Sequence, residues 1–232
     1  MRLCVRLTLR KSDNWTLISG FITNSYLTVP GCLPGCKTKS PTPALRYSER
    51  VSESFLILHG LGNHRPPQHW EFLLAAQLVD LGHDVRYPDL PDSDAPDLSA
   101  WLRVLHEEFA ELKGSHRTVI CHSLSCLLWF HASANMEPAD RVLLVVPPQS
   151  DRLPDYASTF RLASLNVAAV RSSAKELAIV GTDNDPFNPA GPAIYGDPLG
   201  VTPIVIAGAG HLTPSDGYGP WPFVLNWCIQ TR

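Results

Sequence analysis

No segment of the 232-residue chain approaches the roughly 20 consecutive apolar residues that a helix needs to cross a bilayer. No charge of one sign dominates either: 19 Lys and Arg stand against 22 Asp and Glu, a formal net charge of −3. A nucleic-acid binder ordinarily presents a basic surface, so this balance argues against one. Neither G-x-x-x-x-G-K-S/T nor G-x-G-x-x-G occurs, which removes the usual phosphate-cradling loops. The six cysteines form no zinc pattern. Cys32 and Cys36 are spaced C-x3-C with no second pair nearby, and Cys4 stands apart near the start. Cys121, Cys126 and Cys228 fall inside apolar stretches, where a free thiol behaves as a small buried hydrophobe. Such usage suits a reducing compartment, and a cytoplasmic location is expected. Hydrophobic residues make up 44% of the chain. At this length folding buries roughly 70% of the unfolded surface, enough to hold a core without metal or disulfides.

Charge and pattern both change near residue 50. Residues 1–50 carry eight basic side chains against Asp13 and Glu49, and the remainder of the chain is therefore acidic. Between Pro30 and Pro43 the chain reads PGCLPGCKTKSPTP, rich in breakers and without an apolar period. Regular hydrophobic patterning begins at Phe55. Residues 1–50 are accordingly expected to be a poorly ordered basic extension, and 51–232 the folded domain. The stretch WTLISGFITNSYLTV is broken by Thr, Ser and Asn and makes a poor signal sequence. There is no Met between Met1 and Met136, so a GTG start at Val51 is one reading of the extension, and a disordered tail or a transit peptide are others.

From residue 55 onward short apolar runs alternate with amphipathic stretches. FLIL at 55–58 reads as a buried strand, and Trp70, Leu73, Leu74, Leu78 and Leu81 follow at helical spacing, with Gly82 placed to cap. Asp84–Tyr87 reads as a second strand. Asp97 or Ser99 can cap the next helix, whose stripe is Leu98, Trp101, Leu102, Leu105, Phe109 and Leu112. Further strands are expected at 118–121, 141–146, 177–180 and 203–207, with helices at 124–134 and 223–229. Strands that are apolar throughout are buried on both faces. Separated by helices, they predict a three-layer α/β fold: a mainly parallel sheet of about six strands with helices on each side. Ligands of such sheets bind beyond the carboxyl ends of the strands.

Three of those ends carry reactive side chains. Strand three runs into Cys121-His122-Ser123-Leu124-Ser125, a small residue on either side of a Ser that sits between strand and helix. That is the pattern of a nucleophile elbow, although Cys121 and Ser125 stand where the usual form has glycines. The alternative is a Ser serving only as helix N-cap. Strand five runs into Gly181-Thr182-Asp183-Asn184-Asp185-Pro186, which offers two acids or simply a turn. Strand six runs into Gly208-Ala209-Gly210-His211. The order Ser, acid, His, each after its own strand, is that of the α/β-hydrolase triad. An oxyanion hole in this fold takes one amide from the residue after the Ser, here Leu124. The second comes from a loop after an early strand, here Leu61 in His59-Gly60-Leu61-Gly62.

FLILHGLGNHRPPQHW at 55–70, CHSLSC at 121–126, NDPFNP at 184–189 and GAGHLTPSDGYGPWP at 208–222 resemble the small α/β-hydrolase-fold serine hydrolases of the retinoblastoma-binding protein nine / YdeN type. The resemblance covers about 54–227 and has no counterpart for residues 1–50. It implies Ser123 as nucleophile, His211 as base and Asp185, rather than Asp183, as acid, with no large cap domain. Where the family typically has Gly two residues after the Ser, this chain has Ser125. The implied activity is hydrolysis of small acyl esters, thioesters or amides through an acyl-enzyme. No metal or organic cofactor is needed, the partner is a small-molecule acyl substrate, and no nucleic acid or membrane is involved. Trp70, Trp221 and Phe187 are candidates to line an acyl pocket or to be ordinary core. Three other readings stay open: a catalytically idle, protein-binding module on the same scaffold; an acyltransferase using the same triad; and a metal site from His59, His64, His69 and His122, whose spacings fit no common ligand pattern.

Overall fold

A computed structural model of the chain describes residues 53–230, and the extension expected over 1–50 lies outside that range. Among the described residues there are six strands: β1 (Glu53–Leu58), β2 (Asp84–Arg86), β3 (His116–His122), β4 (Ala139–Val145), β5 (Ala174–Thr182) and β6 (Ile204–Ile206). They pair side by side, all parallel, in the order β2-β1-β3-β4-β5-β6.

Alternation along each strand divides the core in two. Phe55 and Ile57 of β1, Ile120 of β3 and Leu143 and Val145 of β4 face one side. Leu56 and Leu58, Val119 and Cys121, and Val142 and Leu144 face the other. Both sets are buried, which is why these strands read as unbroken apolar runs. The first face is covered by α1 (Trp70–Asp80) through Trp70, Leu74 and Leu78, and by α6 (Pro222–Ile229) through Val224, Trp227 and Cys228. On the second lie α2 (Leu98–Ala110), α3 (Leu124–Ala132), α4 (Val167–Ser172) and α5 (Ala193–Leu199). The result is the expected three-layer α/β architecture, and no connection among the described residues carries a cap domain.

All six expected strands are found, with ends displaced by a few residues. Two helices escaped the sequence reading. The six residues of α4 are too few to show a period. Gly196 and Pro198 disguise α5 as a loop. Packing overrides those propensities: a Cβ at Gly196 would lie 2.6 Å from the Val201 carbonyl oxygen, so only glycine lets the helix meet the chain that leads into β6. Of the two candidate caps for α2, Asp97 takes the role, its side chain accepting the Ala100 N–H at 2.8 Å. Cys121, Cys126 and Cys228 are free and buried, and burial raises all three thiol pKa values, that of Cys228 to about 12. No helix among the described residues is long and apolar enough to cross a membrane.

Strand order places the crevice. From β1 the chain moves outward to β2, then returns to β3 on the other side of β1. Loops leaving the carboxyl ends of β1 and β3 therefore diverge from neighbouring strands, and a ligand-sized gap opens between them.

The end of α1 shows how closely local sequence sets an element boundary. Gly82 N–H donates to the Val79 carbonyl at 2.9 Å and His83 N–H to that of Leu78 at 3.1 Å. This Schellman closure needs Gly82 at φ +87°. A Cβ there would meet nothing within 4 Å, so its only cost is conformational. Gly82→Ala should therefore lower the unfolding free energy by about 1 kcal/mol with an unchanged m-value in urea, and a loss below a few tenths would remove the cap from the account.

Candidate active site

Ser123 joins β3 to α3 with φ 56° and ψ −120°, a left-handed conformation that is costly for a residue with a Cβ. Several bonds hold it there. Its N–H donates to the Val145 carbonyl and its carbonyl accepts the Cys126 N–H, both at 2.9 Å. The fully buried Ser125 hydroxyl accepts the His122 N–H at 2.8 Å and has the Leu58 carbonyl at 2.6 Å and the His122 carbonyl at 2.9 Å as outlets for its single proton. The Ser that replaces the expected Gly thus ties the turn to the end of β1. Gly60 completes the enclosure: a Cβ on it would fall 2.8 Å from that of Ser123. The Ser123 hydroxyl does not cap α3, which disposes of the N-cap alternative.

That hydroxyl instead meets His211. Ser123 Oγ lies 2.8 Å from His211 Nε2, and His211 Nδ1 lies 2.9 Å from Asp185 Oδ1. Residues from the ends of three strands, 62 and 26 positions apart along the chain, form one hydrogen-bonded line. Asp185 is buried and its Oδ1 also accepts the Phe187 N–H at 2.9 Å. Asp183 makes no hydrogen bond to His211 and accepts the Gly208 N–H at 2.7 Å, while Asn184 accepts the Gly210 N–H at 2.8 Å. These two side chains fasten the loop after β5 to the loop after β6. The acid loop is held from the other side by Asn188, whose amide donates to the Pro147 carbonyl at 3.0 Å.

Asp216 was missed from the sequence. Its carboxylate accepts the N–H groups of His211 and Thr213 at 3.0 and 3.1 Å and the Thr213 hydroxyl at 2.7 Å. Burial opposes the charged form, but these bonds prevail and hold its pKa below the usual carboxylate range. The Thr-x-x-Asp spacing from 213 to 216 is a capping box and was the available signal. Across the helix layer, the Trp70 indole N–H donates to the Leu212 carbonyl at 2.9 Å, so α1 also steadies the residue after His211.

A cavity of about 290 Å³ opens over this line, bounded by Gly60, Leu61, His69, His122, Ser123 and His211 among others. Leu61 lines it from the loop after β1, where the next amide, Gly62 N–H, is already committed to the Ser93 carbonyl at 2.8 Å. Leu124 is the first residue of α3, a position whose amide has no partner within the helix. A larger recess of about 600 Å³ lies alongside, formed by residues 89–95 and His64, and contains none of the three linked residues. Of the aromatic candidates, Trp70 is core and Trp221 packs on it at 5.2 Å between ring centroids, so neither lines the cavity. Phe187 is 54% exposed with its ring centroid 4.5 Å from that of His211.

The four histidines at 59, 64, 69 and 122 do not form one cluster. His64 is exposed and faces Asp94 at 3.2 Å. His59 is buried, accepts the Leu90 N–H on Nε2 at 2.9 Å and donates from Nδ1 to the Gly60 carbonyl at 3.0 Å. Its Nε2 lies 3.8 Å from the Asp89 carboxylate, which favours a proton there, but the Leu90 N–H already occupies that nitrogen. Burial therefore dominates and lowers the His59 pKa to about 4. His69 and His122 do meet, ring centroids 5.3 Å apart.

A family model described as serine hydrolase matches residues 55–228. Among solved structures, the ydeN gene product of B. subtilis superposes with a TM-score of 0.65 at 19% identity, over 76% of this chain and 96% of that one. A YdeN-like hydrolase from Pectobacterium atrosepticum gives 0.59 at 19% identity, over 76% and 88%. Est1E from Butyrivibrio proteoclasticus gives 0.54 at 14%, over 79% and 91%. No curated protein matches the chain in sequence.

The neutral His59 makes the loop beside Ser123 sensitive to acid. The unfolded chain takes up this proton near pH 6.5 and the folded chain only near pH 4, so the stabilisation is complete above 6.5 and is lost as pH falls towards 4. The loss is on the order of 3 kcal/mol for such a shift. In urea unfolding, the stability gap between wild type and His59→Gln should narrow between pH 7 and pH 4.5. A constant gap would show that the imidazole does not titrate differently on folding.

Proposed function

Because the chain belongs to the serine hydrolase family, we propose that it cleaves small acyl esters through a Ser123–His211–Asp185 triad and an acyl-enzyme intermediate. The observation that carries this reading is the unbroken line of bonds, 2.9 Å from Asp185 to His211 and 2.8 Å from His211 to Ser123, beneath the cavity.

The geometry is consistent with the following steps. With its Nδ1–H donated to Asp185, His211 presents the Nε2 lone pair to the Ser123 hydroxyl. As Oγ attacks the substrate carbonyl carbon, its proton passes to Nε2 and the carbonyl π electrons move onto oxygen. The resulting oxyanion is stabilised by the amides of Leu61 and Leu124 and by the N-terminal end of α3. Collapse of the tetrahedral species expels the alkoxide, which takes the proton from His211 and leaves an acyl-Ser123. Water then repeats the sequence and releases the acid. Asp185 keeps the imidazole in one tautomer and stabilises the imidazolium. Every proton and electron pair is accounted for by these three side chains and water.

Cavity size argues for a short acyl group. At about 290 Å³ it lies at the lower limit of ordinary ligand pockets.

Two experiments test the assignment. A fluorophosphonate probe should label the wild type and not Ser123→Ala, whose turnover of p-nitrophenyl acetate should fall by ~10³-fold or more with the fold intact. Labelling of both proteins, or of neither, would sink the nucleophile. Asp185→Asn should cost ~10²–10⁴-fold in kcat, whereas Asp183→Asn, which keeps an oxygen to accept the Gly208 N–H, should stay within several-fold. The reverse ranking would move the acid role to Asp183.

A further inference from the structure

We propose that His69, Glu71 and His122 form a binding site for one divalent transition-metal ion of the zinc class, set in the wall of the cavity above Ser123. The proposal goes beyond the hydrolase reading and does not depend on it.

One ligand atom from each residue can be chosen so that all three lie within 4.8 Å of one another, and all three residues are buried. Two polar atoms of these residues lack partners. Glu71 Oε1 and His122 Nδ1 are buried with no hydrogen bond, an expensive condition for either. Their opposite ends are satisfied. His122 Nε2 faces the His211 carbonyl at 3.2 Å, a contact that places the ring proton on Nε2 and leaves the lone pair on Nδ1. Glu71 Oε2 accepts from the Asn63 amide at 2.7 Å and from the Tyr87 hydroxyl at 3.4 Å. A ring or carboxylate oriented by an outer hydrogen bond with its inner atom free is the usual preparation of a metal ligand.

Glu71 is 0% exposed, and among the described residues its only ion-pair contact is with His69, at 3.3 Å from Nδ1 to Oε2. That nitrogen also accepts the Glu71 N–H at 3.3 Å, so His69 would ligate through its other ring nitrogen, Nε2. Two imidazoles and one carboxylate are a donor set for zinc with an open fourth position. His69 and His122 also line the cavity, which provides the entry path and the open position. Ligands at ~2.1 Å from a tetrahedral ion lie roughly 3.4 Å apart, so the side chains must close by up to about 1.5 Å when the ion enters.

The experiment uses the full chain, stripped with a chelator and dialysed. Zinc is titrated against a chromophoric competitor and counted by mass spectrometry. One ion per chain is expected in the wild type, and the same in a Cys4→Ser/Cys32→Ser/Cys36→Ser variant, which removes the thiols outside the described residues. Glu71→Gln should weaken binding tenfold or more. Failure of the wild type to retain stoichiometric zinc, loss of the ion with the three thiols, or retention undiminished in Glu71→Gln would each overturn the site. Should Glu71→Gln fail to fold, zinc-edge anomalous density in wild-type crystals decides. A peak among the three side chains upholds the proposal; a peak elsewhere, or none, assigns the unpartnered atoms to a buried water and overturns it. No substrate enters any of these measurements, so their failure leaves the hydrolase reading intact.

Discussion

The left-handed backbone of Ser123 is the constraint on which the rest of the site depends. A residue with a Cβ leaves that conformation unless its surroundings compel it. Here the compulsion comes from β4 through Val145, from β1 through the Ser125 hydroxyl and from the absence of a side chain at Gly60. Each of those supports exists because β3 lies between β1 and β4 in the sheet. The hydroxyl of Ser123 is thereby turned out of the helix and towards the His211 ring.

A sheet buried on both faces makes such confinement possible. Two helix layers cover the strands, so strand ends cannot shift without disturbing both halves of the core. The loops at the carboxyl ends are thus anchored on a rigid edge. Side chains rather than long insertions do the fastening: Asp183, Asn184, Asn188 and Asp216 each accept or donate across a loop.

Much of this was legible in the sequence, and the reasons differ by element. Strands β1, β3 and β4 are apolar on both faces, so their runs stand out whatever the register. The three hydrogen-bonded side chains Ser123, Asp185 and His211 could be picked out because each follows a strand and their chain order is restrictive. Choosing Asp185 over Asp183 rested on family resemblance alone, since both are acids in one turn; the bond to His211 Nδ1 is long-range information that spacing does not carry. Helix α5 was hidden because Gly196 serves packing against a distant segment. Trp70 could be read as pocket or core because an indole suits either role, and its burial and its bond to Leu212 decide for the core. The grouping of His69 and Glu71 with His122 joins the start of α1 to the end of β3, more than 50 positions apart along the chain, and no local pattern announces it.

The paired bonds from Asp183 and Asn184 to the amides of Gly208 and Gly210 have a mechanical consequence. They couple the segment bearing the carboxylate to the segment bearing the imidazole, so the Asp185–His211 spacing is braced by the backbone of both loops as well as by its own hydrogen bond.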